Sequence, residues 1–257
     1  VRGGAALGQA DRQRVNDRVD AVYVLSVRSF AERIAHIEAE LARQDIAFEF
    51  VFEHDANAIP GDLLERTFAP SDLRLAQQSL VLKHIRTWQL ALERNHARVL
   101  VFEDDAVLAP RFAPVLAAAL AEADRLSAGW MIYLGCGDNQ IVPRAGAGPA
   151  LVAGGALPAA DALVFDREAA RRRLEFLRGH RITRPADWLM REVDAAVGVA
   201  HYWLRQPVVR QGSMDGRFVS VLDHKRRARD PRYVRLRFWL IGGWRRLRQR
   251  LGLRRAR

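Results

Sequence analysis

Cysteine is nearly absent: Cys136 is the single one in 257 residues. No intrachain disulfide can form, and a reducing compartment is the natural setting. Long apolar runs are missing too, none approaching the ~18–20 residues of a membrane-spanning helix. Val1 to Val19 is polar, with several Arg and Asp, and lacks the apolar segment of a signal peptide. These absences predict an intracellular, cytoplasmic protein. No internal repeat is visible. Acid is almost lacking from the C-terminal end, where Lys225 to Arg257 carries 14 Lys/Arg against Asp230 alone. The other 224 residues hold 27 bases and 29 acids, so the net charge of +11 belongs to an appendage. What remains is ample for folding. Apolar residues make up 49% of the chain, which excludes wholesale disorder and predicts one large domain, or a domain over 1–222 with a tail over 223–257.

Along the body, strands alternate with helices, the pattern of an α/β protein. Asp20 to Val27 reads as a first strand, followed by a capping box, Ser29-Phe-Ala-Glu32, and a helix with Ile34, Ile37 and Leu41 on one face. Ile46 to Phe52 alternates as a second strand, and Pro60-Gly61-Asp62 reads as a loop. Pro70-Ser71-Asp72 opens a helical stretch with Leu80, His84, Trp88 and Leu92 in one stripe from about Gln77 to Arg94. An Ala-rich helix follows Pro110. Trp130 to Leu134 is a short buried strand ending in Gly135-Cys136-Gly137-Asp138. The stretch from Arg144 to Ala160 looks irregular. Asp166 caps a helix to about Leu177, Pro185 opens another, and Tyr202–Leu204 and Pro207–Val209 read as short strands.

The densest chemical signal is Val99-Leu100-Val101-Phe102-Glu103-Asp104-Asp105, an apolar run closed by three carboxylates. The run reads as a buried strand. Three anions at its end need neutralising unless they lie in water. A divalent cation at the carboxyl edge of an α/β sheet would do that, and such a cation holds a diphosphate well. A solvated acidic turn capping the next helix is the alternative.

In order along the chain come the opening strand and helix with Arg33, Leu82-Lys83-His84 with Trp88, Glu103-Asp104-Asp105, Tyr133-Leu134-Gly135, Asp161-Ala162, and Asp187-Trp188 with Gln211-Gly212-Ser213. This ordered set, over roughly residues 20 to 222, resembles glycosyltransferase family 25, the lipooligosaccharide biosynthesis galactosyltransferase type. The chain departs from the family at Ser26, Ser29, Ala76 to Leu80 and Leu163, positions that bear on sugar specificity. The resemblance implies a glycosyltransferase A-type fold, a Rossmann-like α/β/α sandwich with a mixed central sheet. It also implies inverting transfer of a hexose, usually galactose, from a UDP-sugar with Mn²⁺ or Mg²⁺, onto a glycolipid or oligosaccharide acceptor. On that basis Asp105 and Glu103 are the expected metal residues, with Asp104 toward metal waters or ribose. Ser26, Arg28, Arg33 and His84 would cradle the nucleotide, and Gln211 and Ser213 the diphosphate or sugar. Asp187 is the first candidate base, Asp161 the second and Asp138 the third. Each position has a plainer reading. Asp187 could complement a helix dipole, His84 could be a core histidine, and Arg33 could be solvated. Trp188 and Trp203 could be core, and Gln211-Gly212-Ser213 an ordinary turn.

The basic end interleaves its arginines with Val234, Leu236, Phe238, Trp239, Leu240, Ile241, Trp244, Leu247 and Leu251, the last three continuing a helical stripe from Leu240 and Ile241. Arginines around a Trp/Leu face suit the anionic inner surface of the cytoplasmic membrane, a peripheral placement that would bring the enzyme to a lipid-linked acceptor. Nucleic-acid binding or a solvated tail are the other readings, and Gly242-Gly243 should kink or weaken the helix.

Overall fold

The computed structural model describes residues 14–135, 147–155, 160–219 and 230–251. Among them a seven-stranded mixed sheet forms the centre, in the order β2-β1-β3-β7-β5-β8-β6. Its strands are β1 (Ala21–Leu25), β2 (Glu49–Val51), β3 (Arg98–Glu103), β5 (Trp130–Tyr133), β6 (Leu151–Ala153), β7 (Ala162–Asp166) and β8 (Ala200–Leu204). β1 is parallel to both β2 and β3, and β5 is parallel to β8, while β7 runs antiparallel between β3 and β5. The expected α/β class with a mixed central sheet is what the chain forms.

Helices cover both faces. The run from Val99 to Phe102 is fully buried, as a strand covered on both sides must be. Leu100 and Phe102 point to one face, with Ile37 and Leu41 of α1 (Ala31–Ala42) and Phe112, Leu116 and Leu120 of α4 (Phe112–Ala123). Val99 and Val101 point to the other, with Trp88 and Ala91 of α3 (Leu75–Glu93) and Ala169 and Ala170 of α5 (Arg167–Leu177). This is the two-residue period of a strand read directly from its neighbours. A smaller cluster joins α2 (Gly61–Thr67), α3 and α6 (Ala186–Val197) through Phe68, Val81, Ile182, Leu189 and Val193.

Local chemistry moves several boundaries. The capping box at Ser29 does not form: Phe30 is the N-cap of α1 and no side chain caps it. The amide of Phe30 instead donates to the Val27 carbonyl, and that turn starts the helix one residue later. Pro60-Gly61-Asp62 opens α2 rather than a loop, with Pro60 as N-cap and an Asp62–Arg66 pair one turn on. Residues 70–74 stay non-helical, and α3 begins at Leu75. The second strand shortens to three residues.

Asp166 caps α5 as expected, accepting from Ala169 N at 2.8 Å. The same carboxylate accepts from Gly129 N at 2.7 Å and Trp130 N at 3.2 Å, so it also ties down the start of β5. Beside the main sheet, β4 (Ala106–Leu108) pairs antiparallel with β9 (Val209–Gln211), which sets Gln211 opposite Ala106 at the exit of β3. A helix α7 (Pro231–Arg250) runs unbroken through Gly242-Gly243. It does not hang free: Phe238 is buried, and the Arg210 guanidinium lies 5.3 Å above the Trp239 ring. Gly216, at φ +79, meets the helix start so closely that a Cβ would lie 2.4 Å from the Pro231 carbonyl oxygen. Among the described residues no helix is long and apolar enough to cross a membrane.

Replacing Asp166 with Ala strips the cap and leaves two buried β5-side amides unpaired. The expected loss is ~3 kcal/mol of unfolding free energy, read by urea denaturation.

Candidate active site at the exit of β3

The three consecutive carboxylates have three different fates. Asp104 is neutralised within the protein: Ser26 Oγ donates to it at 2.8 Å and Arg33 Nη1 at 3.0 Å. Burial pushes its carboxyl up, and the Arg33 charge opposes that. Ser26, Arg33 and Asp104 are thus brought together, joining the exit of β1, the start of α1 and the exit of β3. Arg33 also donates to the Val219 carbonyl at 2.9 Å, so it is not a solvated surface residue.

Glu103 accepts from Gln211 Nε2 at 3.0 Å. Its carboxyl is raised well above the usual range, by burial first and then by Asp105, Asp161, Asp104 and Asp187. All four of those neighbours are anions. Asp105 is buried; its Oδ2 accepts from Ser213 N at 3.0 Å, and its Oδ1 has no hydrogen-bond partner. Gly212 permits the approach of this segment, since a Cβ there would lie 2.9 Å from the Asp105 carbonyl oxygen. Gln211 and Ser213 therefore orient carboxylates, the former by its side chain and the latter by its backbone.

Asp161 sits at the head of β7, buried, with Oδ2 unpartnered. Burial and then the Asp105 charge push its carboxyl up to about 7. Gly135 lies directly against it: a Cβ would stand 2.0 Å from Oδ2. Asp187, in the first turn of α6, is half-buried and accepts from Trp188 N at 2.9 Å. Its carboxyl is raised by burial. Trp188 beside it is 46% exposed, with the Arg191 guanidinium 5.2 Å from the ring centre. Asp138 lies outside the described residues.

Two adjoining cavities open on the same edge. One, of ≈ 260 Å³, is walled by Ser26, Ser29, Arg33, Lys83, Glu103 and Asp104 among others. The second, of ≈ 450 Å³, is bounded by Arg28, Phe52, Glu53, His54, Asp55 and Asn57. The Arg28 guanidinium lies 4.6 Å over the Phe52 ring, which stacks on Phe50 at 4.7 Å. Lys83 builds this wall from beneath. Its buried Nζ donates to Asp55 Oδ1 at 2.7 Å and to the Glu53 carbonyl at 2.8 Å, while Asp55 Oδ2 accepts from Arg28 N at 3.0 Å. Ser79 Oγ donates to the carbonyl of His54, which holds a left-handed φ of +66. Sequence reasoning missed this use of Lys83 and Asp55. The available signal was a lysine inside the otherwise apolar face of a long helix.

His84 is placed elsewhere. It is buried on the α5 side of α3, lines neither cavity, and has both ring nitrogens without partners. Burial and the Arg173 charge lower its pKa to about 3, so it is neutral. Arg173 makes a double contact with Asp194 at 2.6 and 2.7 Å, lies 5.1 Å from the Trp88 ring centre, and shares Asp194 with His201 Nε2 at 2.8 Å. Trp203 stacks on Tyr133 at 4.0 Å inside the same core. This buried network was also not foreseen from sequence.

Among the described residues no group of three His, Cys, Asp or Glu converges into a ready-made metal centre. Asp105 Oδ1 and Asp161 Oδ2 are nevertheless buried carboxylate oxygens with no donor to compensate them. Magnesium-type sites commonly use one or two carboxylates and complete their shell with substrate phosphates and water, and the donor set here fits that pattern.

Residues 19–142, which include Ser26, Arg33 and Glu103 to Asp105, match the family described as Glycosyltransferase family 25 (LPS biosynthesis protein). A curated protein of Haemophilus influenzae (strain ATCC 51907 / DSM 11121 / KW20 / Rd), named "Putative glycosyltransferase", is 33% identical over 93 residues, covering 32% of this chain and 31% of that protein. The chain thus spans about a third of the length of that relative. The crystal structure of mannose-1-phosphate geranyltransferase from Thermus thermophilus aligns over 74% of each chain, with 15% identity and a TM-score of 0.36.

The raised carboxyl of Asp161 sets a pH dependence. Between about pH 4 and 7 the folded protein holds a proton there that the unfolded chain releases, so without bound cation stability falls as pH rises through this window. Asp161→Asn should flatten that fall, by up to about 4 kcal/mol between pH 4 and 8, measured by denaturant titration at each pH in EDTA.

Proposed function

We propose, from the match of residues 19–142 to glycosyltransferase family 25, that the chain transfers a hexose, galactose first among the candidates, from a UDP-sugar to a lipooligosaccharide- or LPS-type glycan, with inversion. The observation that carries this reading is the pair of buried, unpartnered carboxylate oxygens, Asp105 Oδ1 and Asp161 Oδ2. They lie at the exit of β3, where the adjoining Glu103 and Asp104 wall the first of two cavities that run from Ser26 to Asp55.

In this reading Asp105 and Glu103 hold Mn²⁺ or Mg²⁺, and Asp161 adds its charge behind them. When bound, the ion supplies Lewis-acid stabilisation of the departing diphosphate. Gln211 and Ser213 keep the two carboxylates aimed, so their hydrogen bonds serve the donor indirectly. Asp104 is satisfied by Ser26 and Arg33 and acts as a tie between β1, α1 and β3. The neighbouring Arg28–Phe52 wall is the planar, cationic surface a nucleoside diphosphate would meet, with Lys83 and Asp55 holding it still.

Transfer needs the acceptor oxygen to bond to the anomeric carbon as the carbon–oxygen bond to the diphosphate breaks, with the acceptor's proton taken by a base. Asp187 fits that task best. It is half-exposed, its proton affinity is raised by burial, and its charge reaches Glu103, so it stands on the same edge as the donor site. The exposed Trp188 ring next to it offers the flat apolar surface on which sugars stack. Asp161 fits less well as a base because Gly135 and the sheet close over it.

A panel of UDP-sugars with Mn²⁺ and a truncated glycolipid acceptor tests this. Asp105→Asn should lower turnover at least 100-fold and weaken UDP binding by calorimetry. Asp187→Asn should lower kcat by at least 100-fold with donor KM changed less than threefold. Undiminished transfer by Asp105→Asn, or no nucleotide-sugar binding by the wild type, would sink the reading.

A further inference from the structure

Helix α7 has two apolar sides, and the body uses only one. The docked side carries Phe238, which is buried, and Gly242, and it packs on the segment around Arg210 and Gly216. On the opposite side Tyr233, Leu236, Leu240, Trp244, Leu247 and Leu251 follow one another at spacings of three and four. That is a single straight stripe on a helix. Each of these six is between 54 and 63% exposed. So large an outward apolar stripe marks an interaction surface.

The charges beside the stripe say what covers it. By helical position Arg237 and Arg248 border one edge and Arg232 the other, while Arg235 and Arg246 lie farther round, toward the docked side. No acid occurs from Pro231 to the end of the chain. The Arg248 guanidinium lies 4.6 Å from the Trp244 ring centre, folded against the rim of the stripe. A second copy packed on this face would bring arginines against arginines. Nucleic acid would neutralise the arginines but leave the apolar stripe against phosphate and water. A helix of twenty residues is ~30 Å long, and a flat anionic lipid surface satisfies stripe and borders together.

We propose that α7 lies in the plane of an anionic membrane, with this stripe in the acyl boundary and its arginines at the headgroups, while Phe238 keeps it fastened to the protein. The fastening matters because of where it is made. Arg210 sits on β9, next to Gln211, and Gly216 closes the same segment after Ser213, so the helix is braced on the residues that orient Glu103 and Asp105. The bilayer surface then lies about one helix thickness, ~10 Å, from β9. This inference is independent of the donor and of catalysis.

Co-sedimentation of the full chain with phosphatidylcholine vesicles, with and without 30% phosphatidylglycerol, tests it. Binding should require the anionic lipid and weaken at least tenfold between 50 and 300 mM salt. Leu240→Glu/Leu247→Glu should bind at least tenfold more weakly with an unchanged melting temperature. Arg232→Gln/Arg237→Gln, which leaves the stripe intact, should lose the preference for anionic over neutral vesicles. The proposal fails if the wild type ignores anionic vesicles, or if the Leu240→Glu/Leu247→Glu protein binds them undiminished. It also fails if that variant instead halves the mass seen by light scattering, or if the wild type shifts arbitrary duplex DNA while leaving vesicles unbound.

Discussion

The site rests on unbalanced charge at the exit of β3. Of three adjacent carboxylates, Asp104 receives Ser26 and Arg33, whereas Asp105 is buried with one oxygen unpartnered, and burial followed by the Asp105 charge pushes the neighbouring Asp161 up to about 7. Burying anions without partners is costly, and folding has to sustain that cost from elsewhere. The fully buried β3, packed by helices on both faces, is what fixes the backbone that carries them.

Around that charge the supports follow a common logic. Each is a close approach or an ion pair that locks a loop to the sheet edge. Gly135 lets a backbone lie against Asp161, and Gly212 lets one lie against Asp105. Lys83 and Asp55 brace the exit of β2, and the Arg33–Asp104 pair braces the exit of β1. β9 brings Gln211 across from the far end of the chain, and α7 packs on the same segment. A rigid rim around a charge deficit is what a preorganised diphosphate-binding edge requires.

Much of this was legible in the amino-acid order, and the reasons are local. Val99 to Phe102 could be read as buried because strands covered on both faces are continuously apolar, and Asp166 as a cap because a carboxylate just before a helix accepts from its first-turn amides. The α1 start was misplaced because Ser29 and Glu32 have capping chemistry at the right spacing, but the Val27–Phe30 turn takes precedence. The site residues divide the same way. Glu103, Asp105, Asp161 and Asp187 could be named, and the fold brings them within electrostatic reach of one another. Their partners could not be paired beforehand, because the contacts of Ser26 with Asp104 and Gln211 with Glu103 span most of the body. His84 and Lys83 show the limit most plainly. They are adjacent on one helix, and only the packing of α5 decides that the lysine faces the cavity and the histidine faces Arg173.

The loss of the free Mn²⁺ signal in electron paramagnetic resonance, on mixing protein with UDP, tests the charge deficit most directly. Wild-type protein with UDP should remove at least half of the signal at equimolar metal, and Asp105→Asn should restore it. Should the signal persist with wild-type protein and UDP present, those two carboxylates are not awaiting a cation, and the account of this edge is wrong.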